Sequence, residues 1–295
     1  MLNNDQQFIL HNGNLMPIFG LGTYTLTDKQ QLDQLIRYAL KSGYKHIDTA
    51  ITYANEALIG EILEDIFKEE EYKREELFIA TKIFPYKSVN TVLRIQQCLK
   101  DLKLQYIDMI YIHWPGYIPD KNNVITHKPV HQIWAEFEQC YRLGYVRNLA
   151  VSNFNVQSLF DLLSYCQVKP VCNQIELNVQ LQQPKLLDFC KRFKIHIVAY
   201  SPLARCGDIL KNSLLVKLSE KYGKSVVQIM LNFLIRLGVS VIPKTSNFLR
   251  LKENIESIQF QLSEEDFQLI KSLDKNIRVE DPYARDDFGS IPYFD

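Results

Sequence analysis

The sequence predicts an α/β fold: a single (β/α)8 TIM barrel with an N-terminal β-hairpin and a short C-terminal tail. Three observations predict it. Eight short apolar runs alternate with helix-period patterns along the 295 residues. Several of those runs are apolar almost throughout, as parallel strands covered on both faces are. No composition break divides the chain, and about 250 residues is an ordinary size for such a barrel, so residues 1–295 read as one domain. The competing arrangement is a doubly wound open sheet. Its dinucleotide-binding form needs a third glycine and a helix start after Gly20-Leu21-Gly22, and the chain continues Thr23-Tyr24-Thr25 instead.

The elements follow in order. Phe8–Leu10 and Leu15–Ile18 flank Asn12-Gly13, a turn pair that accepts positive φ, so they read as a hairpin. Pro17–Leu21 is the first barrel strand. Thr27 with Gln30 fits a capping box for a helix whose face is Leu32, Leu35, Ile36, Ala39 and Leu40, and Gly43 sits where that helix stops. His46–Asp48 is the second strand, followed by a helix face of Leu58, Ile59, Ile62, Leu63 and Ile66. Strands three to seven are Phe78–Lys82, Met109–His113, Val146–Val151, Val171–Ile175 and Ile195–Tyr200. Ile133, Trp134, Phe137 and Tyr141 form a helix face ended by Gly144. Ser240–Pro243 is the last strand. Ser263 with Asp266 opens a late helix containing Leu269, Ile270 and Leu273.

Composition excludes several classes of function. The 34 basic and 34 acidic residues balance, which argues against nucleic acid or an anionic membrane as partner. An anionic ligand must then be held by local groups. The six cysteines form no CxxC pair and no zinc-like Cys/His spacing, so no metal is expected, and most sit in apolar runs as small core residues. No run approaches the roughly 18 apolar residues of a membrane span. The N-terminal residues lack a signal pattern and the C-terminal residues a lipidation motif. A reduced, cytoplasmic setting follows as the expectation.

In a barrel of this kind the active site is built at the C-terminal ends of the strands. Those ends carry Asp48, Lys82, His113, Ser152-Asn153, Gln174, Tyr200-Ser201 and Lys244. Taken singly, each has an ordinary structural role: an Asp caps a helix, a His is a satisfied core residue, a Lys is solvated. Their convergence on one rim is harder to dismiss. Asp48, Tyr53, Lys82 and His113 make chemical sense as a unit. Lys82 beside Tyr53 is expected to favour the phenolate and lower the phenol's pKa, and Asp48 to hold Lys82 in place and charged. His113 can donate to a carbonyl oxygen. Together they can polarise a carbonyl and protonate the developing alkoxide. No side chain supplies a hydride, so a reduced cofactor is required.

The segment Gly43–Gly60, with Ile47-Asp48-Thr49-Ala50, Tyr53 and Asn55-Glu56, resembles the first signature of the aldo-keto reductases. Val151-Ser152-Asn153-Phe154 resembles a second. Ile242-Pro243-Lys244-Thr245, through Arg250 to Glu253-Asn254, resembles a third. The resemblance spans essentially the whole chain and implies an NADPH-dependent reductase of aldehydes and ketones. It implies Tyr53 as general acid, with Asp48, Lys82 and His113 completing the tetrad. It also implies Ser152, Asn153, Gln174, Tyr200, Ser201, Leu203, Lys244, Thr245, Arg250, Glu253 and Asn254 as contacts to NADPH/NADP+, and Thr23 and the Ser246 hydroxyl are expected to join them. Within that set, Ser152, Asn153 and Gln174 match the carboxamide contacts and Tyr200 the stacking aromatic. Lys244, Thr245 and Arg250 match the grip on the 2′-phosphate. The chemistry agrees, since a phosphate suits a guanidinium, an ammonium and hydroxyl donors near a helix N-terminus.

The chain departs from the family pattern at Ala150, Thr245, Tyr24 and Asn178-Val179 without losing a catalytic group. Tyr24, Phe84 and Trp114 are expected to line the substrate pocket, with Tyr117, Tyr293 and Phe294 within reach. The loop Gly116–Val130 and the tail after Asp281 are short for the family, which implies an open site. An aromatic, uncharged wall favours compact aldehydes and ketones, including aromatic aldehydes and dicarbonyls. Two alternatives share the fold: a nucleotide-binding regulatory subunit, and an NADP-linked alcohol or polyol dehydrogenase using the same site in the oxidative direction. The family resemblance implies a monomer.

Overall fold

The computed structural model describes residues 7–87, 89–117, 124–284 and 291–294. Residues 1–6, the middle of the loop 116–130 and most of the tail beyond 284 lie outside the described residues, and the expectations for the leader, that loop and the tail fall there.

The chain opens on an antiparallel hairpin, β1 (Gln7–Ile9) with β2 (Leu15–Pro17), turning at Gly13 with φ +87°. Eight strands follow: β3 (Gly20–Gly22), β4 (His46–Asp48), β5 (Phe78–Ile83), β6 (Met109–Ile112), β7 (Leu149–Ser152), β8 (Cys172–Glu176), β9 (His196–Tyr200) and β10 (Ser240–Val241). Each pairs in parallel with its sequence neighbours. The ring closes between the last strand and the first. Val241 N donates to Ile18 O at 2.9 Å, Gly22 N donates to Pro243 O at 3.2 Å, and Phe19 bridges Val241 in parallel.

Helices α1 (Lys29–Lys41), α2 (Glu56–Lys68), α3 (Thr91–Asp101), α4 (Val130–Arg142), α5 (Val156–Tyr165), α6 (Pro184–Phe193), α7 (Ser213–Tyr222), α8 (Val226–Arg236), α9 (Phe248–Ile255) and α10 (Glu264–Lys271) are the other described α-helices. None is long and apolar enough to cross a membrane among the described residues.

Strand parity separates two cores. Ile79, Ile83, Ile110, Ile112, Leu149, Val151, Ile175, Ile197 and Ala199 join the large cluster shared with the helices. The alternate residues Phe78, Ala80, Met109, Tyr111, Ala150, Cys172 and Val198 form a second buried cluster with Leu10 and Met16 of the hairpin. The second set is the barrel interior, and the hairpin floors it. Period-2 alternation on buried strands produces this division. The same inward parity carries Asp48, Lys82, Ser152, Gln174 and Tyr200 at the other end.

Several sequence expectations shift by a residue or an element. Pro17 ends the hairpin, so the first barrel strand begins at Gly20. The α1 N-cap is Asp28, whose carboxylate accepts from Gln31 N at 2.7 Å, and not the Thr27 box. On α4 the buried residue is Cys140, while Tyr141 is exposed. On α10 Ile270 is buried, Leu269 is exposed and Leu273 lies past the helix end. Gly43 and Gly144 stop their helices with φ of +101° and +76°.

Candidate active site

Asp48 ends β4 and Lys82 is the fifth residue of β5; both point into the barrel and are 2% and 1% exposed. They form a direct ion pair. Lys82 Nζ also donates to Thr49 O at 2.8 Å, and Gln174 Nε2 donates to the second Asp48 oxygen, Oδ2, at 2.8 Å. A buried carboxylate with an ammonium and an amide on its two oxygens is fully compensated.

Tyr53 stands on a 3-10 turn, Ile51–Tyr53, that leaves through Ala54 in the left-handed region at φ +55°. Lys82 Nζ sits 5.1 Å from the Tyr53 ring centroid. The turn is fixed by Asn55, which is fully buried. Its side chain accepts from Thr49 Oγ1 at 2.7 Å and donates to Thr23 O and Leu26 O at 2.9 and 3.0 Å. One amide thus ties the β3 loop to the turn carrying the phenol. Residue types alone do not reveal this positioning role, because two of Asn55's three partners are backbone carbonyls.

Burial pushes the Tyr53 phenol well above its usual pKa, and the Asp48 carboxylate adds to the rise. The expectation that Lys82 would lower it is therefore corrected: desolvation outweighs the ammonium, and Tyr53 is protonated at neutral pH. Burial also lowers Lys82, opposed by Asp48. His113 follows β6, its N–H donating to Ile83 O at 2.9 Å. Burial and the Lys82 charge hold its imidazole well below the usual range, so it is neutral. Its ring lies edge-on to Tyr53 at 6.0 Å and tilted on Phe84 at 4.6 Å. Its Nδ1 is buried with no partner among the described residues. A protonated phenol and a neutral imidazole beside each other are two donors for one carbonyl oxygen.

The remaining strand ends form a second network. Ser152 Oγ donates to Gln174 O at 2.8 Å. Asn153, at φ +63°, donates to His113 O at 2.9 Å and Ser152 Oγ at 3.1 Å, and accepts from Tyr200 OH at 2.7 Å. Thr23 Oγ1 donates to Asp48 O at 3.0 Å. The amide donors of Asn153 are both engaged, so a carboxamide contact from it requires exchanging one bond.

Lys244, Ser246 and Arg250 are exposed at the N-terminus of α9, where Asn247 caps Leu249 N and Arg250 N. Thr245 Oγ1 accepts from Asn247 N at 3.1 Å. Neither Lys244 nor Arg250 has an ion pair among the described residues. Two unpaired cations, a hydroxyl and a helix N-terminus fit the 2′-phosphate of NADP(H). Tyr200, half-buried at an inward strand end, fits a stacked nicotinamide, with half-buried Ser201 and Leu203 in the segment that follows. Glu253 is half-buried, whereas Asn254 is 3% exposed. Ser201, Ala204, Arg205 and Cys206 all have positive φ, and Arg205 Nε bonds Glu280 Oε1 at 2.7 Å.

The mouth is aromatic. Tyr24, 48% exposed, lies 5.1 Å from the Tyr53 ring. Phe84 packs on Tyr117 at 5.3 Å, and Trp114 on Tyr293 and Phe294 at 5.4 and 5.8 Å. Phe84 and Trp114 are both buried, so they back the site and Tyr24 forms its rim. The tail aromatics therefore do reach the Trp114 side of the barrel.

A parallel eight-stranded barrel with a buried Asp–Lys pair, a protonated tyrosine and a neutral histidine on its C-terminal rim defines a carbonyl-handling oxidoreductase. A model described as the Aldo/keto reductase family matches residues 18–275. Aldose reductase C of Dictyostelium discoideum is 40% identical over 99% of this chain and 95% of its own length. Glyoxal reductase of Bacillus subtilis is 37% identical over 92% and 93%. An aldo-keto reductase of Bombyx mori, solved with NADP, superposes with a TM-score of 0.88 at 33% identity, covering 97% of this chain and 98% of that one. The chain belongs to the aldo/keto reductase family, and it is an NADP(H)-dependent oxidoreductase that reduces carbonyl compounds.

Proposed function

We propose that this chain reduces aldehydes and ketones to alcohols with Tyr53 as the proton donor and His113 as the orienting donor. The observation that supports it best is the buried Asp48–Lys82 pair beneath a protonated Tyr53, with a neutral His113 ring beside it. The bound NADPH supplies the hydride. The carbonyl oxygen accepts hydrogen bonds from Tyr53 OH and the His113 ring N–H, which aligns the carbonyl and draws its charge toward the donors. As negative charge builds on that oxygen, Tyr53 releases its proton to it. The Lys82 ammonium, anchored by Asp48, then stabilises the phenolate left behind. In this reading Lys244, Thr245, Ser246 and Arg250 hold the 2′-phosphate, Tyr200 stacks on the nicotinamide, and Thr23, Ser152, Asn153, Gln174, Ser201, Leu203, Glu253 and Asn254 complete the cofactor groove.

Residues 1–295 act in this proposal as one barrel domain, monomeric and cytoplasmic, on small carbonyl compounds and not on nucleic acid. Aromatic aldehydes and dicarbonyls are the first substrates to try, given the rings of Tyr24, Phe84 and Trp114 around the tetrad. The test follows NADPH absorbance over a panel of aldehydes, ketones and dicarbonyls. Steady turnover is expected; slow oxidation of one equivalent of cofactor would point to a nucleotide-sensing protein instead.

A further inference from the structure

The wall beside Trp114 carries a charge that the sequence did not place there. Arg278 lies between α10 and the tail, its guanidinium carbon 3.6 Å from the Phe294 ring centroid. Phe294 in turn packs on Trp114, the residue next to His113. Arg278 is half-buried and has no ion pair or hydrogen bond among the described residues. Glu176 feels the Arg278 charge, and Glu280 lies two residues on, but neither forms an ion pair with it. Glu280 is ion-paired with Arg205, whose Nε donates to it at 2.7 Å. Glu176 accepts from Val279 N and Glu280 N, each at 2.8 Å.

A ring contact satisfies only the face of a guanidinium. The five N–H donors lie along its edge, and none of them makes a hydrogen bond among the described residues. Phe294 therefore holds a flat, oriented fork one aromatic ring away from the pocket wall, the arrangement that suits bidentate contact with a carboxylate or phosphate.

We propose that Arg278 recognises an anionic group, carboxylate or phosphate, carried by the substrate at a distance from its reacting carbonyl. The inference rests on the carbonyl-reductase reading and narrows its substrate class. The carbonyl sits at Tyr53 and His113, and the anion reaches past Trp114 to the Arg278 edge. A contact made equally in the ground and transition states lowers KM and leaves kcat unchanged, and a grip on an anion far from the carbonyl is of that kind.

The test compares matched aldehydes. 4-Carboxybenzaldehyde and methyl 4-formylbenzoate share a ring and a carbonyl and differ in charge; glyceraldehyde 3-phosphate and glyceraldehyde form the phosphate arm. The parent protein is expected to prefer the anionic member of at least one pair, and which pair identifies the anion. Arg278→Met should lower kcat/KM for that anionic member by about tenfold to a hundredfold, chiefly through KM, the scale of a charged hydrogen bond. Turnover of the neutral partner should change less than about threefold on the same reasoning. Arg278→Lys keeps the charge without the fork and should recover part of the preference. The proposal is overturned if the parent prefers neither anion, or if Arg278→Met and Arg278→Lys both depress neutral and anionic substrates alike. If the parent reduces neither member of either pair, it is the carbonyl-reductase reading that has failed.

Discussion

His46 offers a direct test of the barrel's interior electrostatics. It starts β4, is fully buried, and neither ring nitrogen has a partner among the described residues. Its neighbours pack closely: the Phe78 ring stands edge-on at 5.0 Å, and a Cβ on Gly20 would lie 2.5 Å from Nδ1. Burial lowers its pKa from 6.5 to about 4; Asp48 opposes the shift and Lys82 adds to it. The unfolded chain therefore binds a proton on this residue at a pH where the folded chain does not. Stability from this source is fully present above 6.5 and is lost as pH falls toward 4. Once the pH is below both values the loss is about 3 kcal/mol, and between pH 7 and pH 5 it is about 2 kcal/mol. Urea unfolding of the parent and of His46→Leu at pH 7, 6 and 5 isolates this contribution. The stability difference between the two proteins should shift by about 2 kcal/mol in favour of the variant over that range. Parallel loss of stability in both would show that His46 is not held neutral by burial.

Other predictions follow from the site and its scaffold. Lys82→Met leaves the buried Asp48 carboxyl without its ammonium partner and with only Gln174 bonded to it, so it should cost about 3–5 kcal/mol by denaturant unfolding; Lys82→Met with Asp48→Asn should recover much of that loss. Gly60→Ala places a Cβ against the backbone carbonyl oxygen of Asp101 and the Leu102 backbone, where α2 meets α3. Thermal unfolding should show a loss of at least about 2 kcal/mol, and an unchanged midpoint would mean the helices are further apart. Lys244→Ala and Arg250→Ala should each raise KM for NADPH about tenfold or more while leaving KM for NADH nearly unchanged; equal effects on both cofactors would remove the 2′-phosphate assignment.

The barrel was legible because buried parallel strands announce themselves as apolar runs, and because strand parity is strict. His46 and Asp48, Phe78 and Lys82, Cys172 and Gln174 share the inward side by their spacing alone. Helix faces were less certain by one position. Tyr141 and Cys140 both lie near the edge of the α4 stripe, and packing chose the smaller Cys140 for the interior. The α1 cap was expected at Thr27 and falls one residue later on Asp28, whose carboxylate accepts from Gln31 N. Hydrogen bonds to backbone carbonyls left no trace in the sequence, which is why the role of Asn55 emerged only in three dimensions, and the engagement of Asn153 depends on how closely Ser152, His113 and Tyr200 from three strand ends approach it. The rise in the Tyr53 pKa was hidden for a related reason: residue types revealed the charges beside the phenol, but not how far the surrounding protein desolvates the half-buried side chain. Arg278 escaped notice because it belongs to no strand end and becomes part of the wall only through Phe294, sixteen residues further on.

The role of Tyr53 is tested most directly by single-turnover NADPH oxidation with an aromatic aldehyde, comparing the parent with Tyr53→Phe and measuring NADPH affinity by fluorescence in both. The substitution removes one hydroxyl and leaves the ring contacts with Tyr24 and His113 in place. Proton donation through Tyr53 predicts a fall in the rate of at least about a hundredfold, with NADPH affinity unchanged within about threefold. A Tyr53→Phe protein that reduces the aldehyde at the parent rate would contradict it and place the proton donor elsewhere.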